Sequence, residues 1–394
     1  MKRDLSLDIL RGLMLIIMAA DHFGEPVFQH IYEFAGYISA AEGFVFLSGL
    51  LVALVYGRYY HAHHWQLEQK IWHRAGVIYF YHLVVLLGVF IFTTLTKIYT
   101  GAYWHSFAEA MQANPIPALL SGIVLVYQPS MLDILPMYVV LMLLAPISLR
   151  LMQRYKTTGM TIVLATSLMI WALPHIGIGN LAWLPKALTV QVGAFNWLAW
   201  QLIFVSGMVI GFIRLERKGK PWQPKISLML LSLLVISFLY LQRHGYIHAE
   251  GYIVLQWLQT YSHIARDNLG WLRLVNVLAM IYFISGFIAL TRDWQWVKPL
   301  QKFKQWLAFL GQHSLQVFAY HLVVLYFYIP FRWGAWAITD PQKWFALVLF
   351  LVSLTLPAWL HARYQAQQKA KRTQAKAITL IPNISAMPCA AAGA

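Results

Sequence analysis

Leu7-Asp8-Ile9-Leu10-Arg11-Gly12-Leu13-Met14-Leu15-Ile16-Ile17-Met18-Ala19-Ala20-Asp21-His22-Phe23 decides how the chain is to be read. The stretch is apolar enough to cross a bilayer, yet it carries two acids, an arginine and a histidine. A charge at the bilayer centre costs at least about 2.5–3.5 kcal/mol on insertion scales, so such residues mark function. Eleven residues separate Arg11 from His22, almost three helical turns. Both therefore project from one face, about 16–17 Å apart along the axis. Asp8, Arg11, Leu15, Met18 and His22 form one stripe at helical spacing.

The rest of the chain agrees with a membrane reading. Of 394 residues, 60% are hydrophobic and 11% charged, with a mean hydropathy of +0.58. Water-soluble domains average about 45–50% apolar and about 25% charged residues. A span needs about 20 mostly apolar residues. Ten are expected near Leu7–Phe23, Tyr37–Tyr59, Gly76–Thr96, Leu132–Arg150, Met160–Ile176, Trp197–Ile213, Ile226–Leu241, Leu272–Thr291, Leu307–Tyr328 and Trp344–His361. Pro117–Tyr127 reads as a re-entrant or interfacial segment. The fold class is an all-α polytopic bundle, 1–372, followed by a flexible cytoplasmic tail, 373–394, that lacks helical periodicity.

Charge sets the orientation. With both termini in the cytoplasm, 22 of the 30 Lys and Arg fall in cytoplasmic segments and seven in the opposite loops, as the positive-inside rule requires. The same distribution accounts for the net charge of +16 through anionic lipid rather than nucleic acid. The single cysteine, Cys389, rules out a disulfide framework or a cysteine-based zinc cluster. The His61, His63, His64 and His73 group lacks carboxylate support and reads as an interfacial segment, so no metal is expected.

Asp21, His22 and Glu42 lie at one depth near the external surface. A carboxylate beside a histidine orients the ring and raises its basicity, as in a general base. The other reading of such a carboxylate is an ion pair joining two helices. Asp133, ahead of Pro136 and Tyr138, either binds substrate hydroxyls or caps a helix. Gln201 is placed to hydrogen-bond between helices. His321, with Ser314 two turns below it, is a second site histidine or a packing residue. Arg74, at the cytoplasmic mouth of the third span, is a phosphate partner or a membrane anchor. No Gly-rich phosphate loop, HExxH or GxSxG signature is present.

Arg11-x10-His22 and Gly43-Phe44-Val45-Phe46-Leu47-Ser48-Gly49 resemble motifs of the membrane acyltransferase-3 superfamily. More closely, the chain resembles the OpgC family. The stretches that carry this are Arg3–Gly12, Asp21-His22, Ala41–Gly49, Leu132–Tyr138, Phe195–Gln201 and Gly311–Phe318. The resemblance implies an inner-membrane enzyme that moves an acyl group, succinyl or acetyl, from cytoplasmic acyl-CoA to a hydroxyl of a periplasmic glucan. On it, His22 is the catalytic base and Arg11 contacts the CoA side of the donor, with Asp8 and Glu42 in support. Asp21, Arg74, Asp133, Tyr138 and His321 remain assignments from position. Heparan-glucosaminide acetyltransferase-like proteins begin with a similar Leu-Asp-x-x-Arg-Gly run, so other saccharide acceptors stay open. A transporter or flippase of a glycan is the competing class, although no internal repeat of the kind many transporters carry is evident.

Overall fold

The computed structural model describes residues 4–25, 27–57, 64–178, 193–217, 222–247, 250, 252–291, 300–333 and 337–379. Its helices are α1 (Leu5–Phe23), α2 (Phe28–Ile31), α3 (Ala40–Tyr56), α4 (His64–Ala113), α5 (Pro115–Ile123), α6 (Ile134–His175), α7 (Trp197–Glu216), α8 (Ile226–Arg243), α9 (Ile253–Leu258), α10 (Tyr261–Ile264), α11 (Trp271–Thr291), α12 (Gln301–Gln312), α13 (Ser314–Trp333), α14 (Asp340–Ser353) and α15 (Thr355–Thr379). No strand occurs among the described residues.

Local chemistry sets the helix ends. Asp4 caps α1 by accepting from the Ser6 amide at 3.0 Å, which satisfies one of the orphan donors of the first turn. The helix stops at Gly24, whose φ of 85° suits a residue without a Cβ. Ser39 and Glu42 form a capping box at the start of α3.

Among the described residues seven helices are long and apolar enough to cross a membrane: Gln66–Thr96, Ile134–His175, Trp197–Glu216, Ile226–Arg243, Trp271–Thr291, Ser314–Arg332 and Asp340–Gln374. Large apolar side chains on their outer faces are exposed, among them Phe80, Leu95, Leu230, Leu234, Phe345 and Val352. In water such a belt would be an aggregation surface; against acyl chains it is the expected exterior. The chain is a multi-pass membrane protein.

All ten predicted spans fall on helices, with differences that have physical causes. Leu132–Arg150 and Met160–Ile176 lie on one 42-residue helix, α6, interrupted at Lys156 (φ 50°, ψ −121°). Gly159 packs against the backbone of Leu151 and Met152. A straight helix would hold residues eight apart at about 12 Å, so α6 folds back into two legs. The span expected at Leu307–Tyr328 is split at His313 (φ −113°, ψ 29°). Gly12 packs on the Leu307 backbone and Gly311 on Asp8, so α12 runs antiparallel to α1, and of the two only α13 is long and apolar enough to cross a membrane. The tail boundary also shifts. Helix α15 continues to Thr379, because Gln, Ala, Lys and Arg dominate after Tyr364 and all favour helix; 380–394 lie outside the described residues. The segment read as re-entrant or interfacial becomes the nine-residue α5, about 14 Å long and too short to cross. It is tied to α4 by Tyr79 Oη donating to the Ile123 carbonyl at 2.9 Å.

Close backbone approach marks two interfaces. Gly49 and Gly207 let α3 and α7 touch at Phe204 and Phe46, as small residues do between membrane helices. Gly12 and Gly311 do the same for α1 and α12. Gln201 Nε2 donates to the Ser167 carbonyl at 2.7 Å and its Oε1 accepts from Ser167 Oγ at 2.6 Å. That is the interhelical bond expected of it, joining α7 to the second leg of α6.

Candidate active site

Helices α1 and α13 run side by side in the same direction, and polar contacts join them at two levels among the described residues. Near the start of both, Arg11 Nη2 donates to Ser314 Oγ. Further along, His22 Nδ1 lies 3.2 Å from His321 Nε2, with the rings stacked 5.5 Å apart and 16° from parallel. Parallel packing brings the polar residues of α1 onto those of α13 at both levels.

The hydrogen bonds fix the tautomers. His321 Nδ1 lies 2.5 Å from the Phe318 carbonyl oxygen. A carbonyl only accepts, so Nδ1 of His321 carries the hydrogen. Nε2 of a neutral His321 is then an acceptor, and His22 Nδ1 must donate to it. This leaves the lone pair of a neutral His22 on Nε2. The pair thus presents one unprotonated imidazole nitrogen, oriented by a second imidazole that is itself held by the backbone. His321 is 1% exposed, which keeps water from competing for its ring.

The acids are placed otherwise than their depth implied. Glu42 is fully buried, but its oxygens are engaged elsewhere. Oε2 accepts from the Ser39 amide at 2.9 Å and the Ser39 hydroxyl at 2.5 Å, and Oε1 from Arg273 Nη1 at 2.7 Å. The group in contact with the His22 ring is His321, and Glu42 forms the interhelical ion pair of the other reading, binding α3 to α11. Arg273 also donates to Glu33, which accepts a further bond from Arg243. Burial alone would raise the Glu33 carboxyl, but Arg273 and Arg243 outweigh it and hold it below its ordinary value. Asp21 has a buried Oδ1 without a hydrogen-bond partner and lies within electrostatic reach of Arg266, Glu33 and Glu42.

A cavity of about 540 Å³ opens beside the lower half of α1. Its polar lining includes Asp4, Asp8, Arg11, Ser48, Arg74, Tyr138 and Ser314, and its apolar lining includes Phe44 and Phe318. The Phe44 and Phe318 rings stack at 6.0 Å, and Phe318 meets His321 edge-on at 4.8 Å. Tyr138 tilts against Phe44 at 5.9 Å. A second opening of about 420 Å³, lined by Gln69, Lys70, His73 and Val77, shares Val55, Tyr56 and Arg74 with the first. Asp8, Arg11, Arg74 and Tyr138 therefore belong to one cavity system, whose aromatic floor separates it from the histidine pair.

Asp133 belongs to neither group. Its side chain makes no cap for α6; Oδ2 accepts from the Ala194 amide at 2.8 Å, while Gln128 Oε1 accepts from the Gly193 amide at 2.9 Å. Both side chains pin the segment that leads into α7. Sequence reasoning missed Arg266, Arg273 and Phe318. A signal existed for Arg273, a cation two residues into an apolar run, whereas Arg266 reads as an ordinary loop cation. Of the histidine group, His61 and His63 lie outside the described residues.

No curated protein and no solved structure matches the chain. The profile of the family described as OpgC protein matches residues 3–367, nearly the whole chain and all the residues of the cavity and the histidine pair. The chain belongs to the OpgC family.

Proposed function

We propose that the protein transfers an acyl group from cytoplasmic acyl-CoA, succinyl-CoA or acetyl-CoA, to a hydroxyl of a periplasmic glucan or another envelope saccharide. One observation carries the reading: a polar cavity beside the N-terminal half of α1 ends on Phe44 and Phe318, and directly behind Phe318 stands the His22–His321 pair. Membership of an acyltransferase family supports it. So does topology. The reading takes ten passes, with the two legs of α6 counted separately and the 19-residue α1 and 17-residue α3 added to the other helices, in a bacterial inner membrane with both termini inside. The cavity mouth at Asp4 and Lys70 then faces the cytoplasm, and His22 lies toward the periplasm.

In this mechanism Arg11, Arg74 and Lys70 hold the anionic part of the donor, and the thioester passes between Phe44 and Phe318. His22 Nε2 accepts the proton of the saccharide hydroxyl as its oxygen attacks the thioester carbon. The carbon–sulfur bond then breaks, and His22 returns the proton to the departing thiolate. His321 is a positioning residue: its acceptor Nε2 keeps the hydrogen of His22 on Nδ1 and steadies the imidazolium that forms. His22→Ala abolishes transfer of radiolabelled acyl from CoA to glucan by detergent-purified protein, while CoA binding persists. His321→Ala lowers kcat by about 10²–10⁴-fold with KM for acyl-CoA nearly unchanged. Full transfer by a folded His22→Ala protein refutes the reading.

A further inference from the structure

Arg266 lies between α10 and α11, outside the machinery assigned above, and it is held at both ends. The Trp200 indole, itself fully buried, donates to the Arg266 carbonyl at 2.9 Å and to the Asp267 carbonyl at 3.1 Å. The guanidinium is braced over the Phe195 ring at 5.2 Å and the Tyr32 ring at 5.8 Å, contacts that orient a cation without using its hydrogen-bond donors. From there its charge acts on Asp21, His22 and Asp133. Among the described residues no acceptor takes a hydrogen bond from this guanidinium, and its buried Nε has no partner. Asp21 is within reach of its field but not in hydrogen-bond contact, and Asp21 Oδ1 is likewise unpartnered.

A fixed guanidinium with unused donors beside a reaction centre is a receptor for a planar anion. We propose that Arg266 binds a carboxylate presented at the His22–His321 pair, either the free end of a dicarboxylic acyl group or an acidic group of the saccharide acceptor. The carboxylate class follows from the planar fork of the guanidinium, and the neighbouring Arg332 is packed against the backbone of Gly24 at the end of α1. Arg243 and Arg273 are already bonded to Glu33 and Glu42, so they offer no comparable pair of free donors. The inference rests on the acyl-transfer reading only for the identity of the ligand, since the anion site is defined by Arg266 itself.

The experiment measures equilibrium binding to the full-length protein in detergent, without turnover, for wild type, Arg266→Gln and Arg266→Lys. The probes are succinyl-CoA against butyryl-CoA, its neutral counterpart of equal chain length, and a uronic-acid oligosaccharide against a neutral glucan. Arg266→Gln weakens one carboxylate probe by about 10- to 100-fold while its neutral counterpart changes less than about twofold. Arg266→Lys recovers part of the loss. Selective loss on succinyl-CoA assigns the site to the donor, and selective loss on the uronic-acid oligosaccharide assigns it to the acceptor. Equal losses on charged and neutral probes, or none, overturn the proposal. So does full recovery in Asp21→Asn/Arg266→Gln, which would reduce Arg266 to a counter-charge for Asp21. If carboxylate binding depends on Arg266 and no acyl product forms from any donor, the site stands and the acyl-transfer reading falls.

Discussion

Glu33 shows how single residues secure the end of the bundle where α2 leads into α3. It is 3% exposed, sits at a φ of 53° and accepts from both Arg243 and Arg273. Removing one member of such a network strands buried charge, so Glu33→Gln costs about 3 kcal/mol or more. Its carboxyl lies below its ordinary value of 4.5. The contribution is therefore complete above that value and lost as pH falls through the lower, folded one. Thermal unfolding in detergent from about pH 6 to about pH 3 shows a fall in the wild-type midpoint that is shallower in Glu33→Gln. At this scale much of the site was legible in the sequence. Arg11 and His22 announce themselves as polar groups on an apolar helix. The partner of Glu42 does not, because Arg273 is 231 positions away and only the fold brings it to Ser39 and α3.

Among the elements, α12 departs furthest from expectation. Its apolar C-terminal half merges in sequence with α13, so hydropathy alone runs the two together. What separates them is the turn at His313 and the backbone contact of Gly12 with Leu307 and Gly311 with Asp8, neither of which has a periodic signature. A Cβ at either glycine meets backbone, which cannot move aside like a side-chain tip. Gly12→Val and Gly311→Val therefore each destabilise by about 1–3 kcal/mol or more through overpacking and displace Arg11 from Ser314. Gly76 and Gly88 on α4 have nothing within 4 Å of an added Cβ. Alanine at either stabilises the protein by about 0.5–1 kcal/mol through helix propensity. Unfolding midpoints of the four variants test both signs.

For the whole molecule, the two legs of α6 and the parallel run of α1 and α13 constrain how the passes of the proposed topology alternate. Parallel α1 and α13 require an even number of reversals between them, in keeping with spans one and nine of a ten-pass chain. A cysteine placed at Glu250, after α8, is labelled by a membrane-impermeant maleimide from the periplasmic side, and one at Gln69 only after the membrane is opened. The opposite pattern refutes the orientation. The membrane helices were legible from hydropathy because bilayer thickness acts on composition directly. The cavity was not legible, since its walls come from α1, α3, α4, α6, α7 and α13 and no local pattern encodes their convergence.

The hydrogen-bond chain that begins at His22 passes through His321 and stops on the Phe318 carbonyl. A carbonyl has no hydrogen to hand onward, and the Phe318 ring is itself stacked on Phe44. The histidine pair can therefore exchange protons on the His22 side without passing them on through that carbonyl. On the acyl-transfer reading proposed above, a donor held in the cavity would therefore meet no hydrogen-bonded relay running onward from this pair through the Phe318 carbonyl.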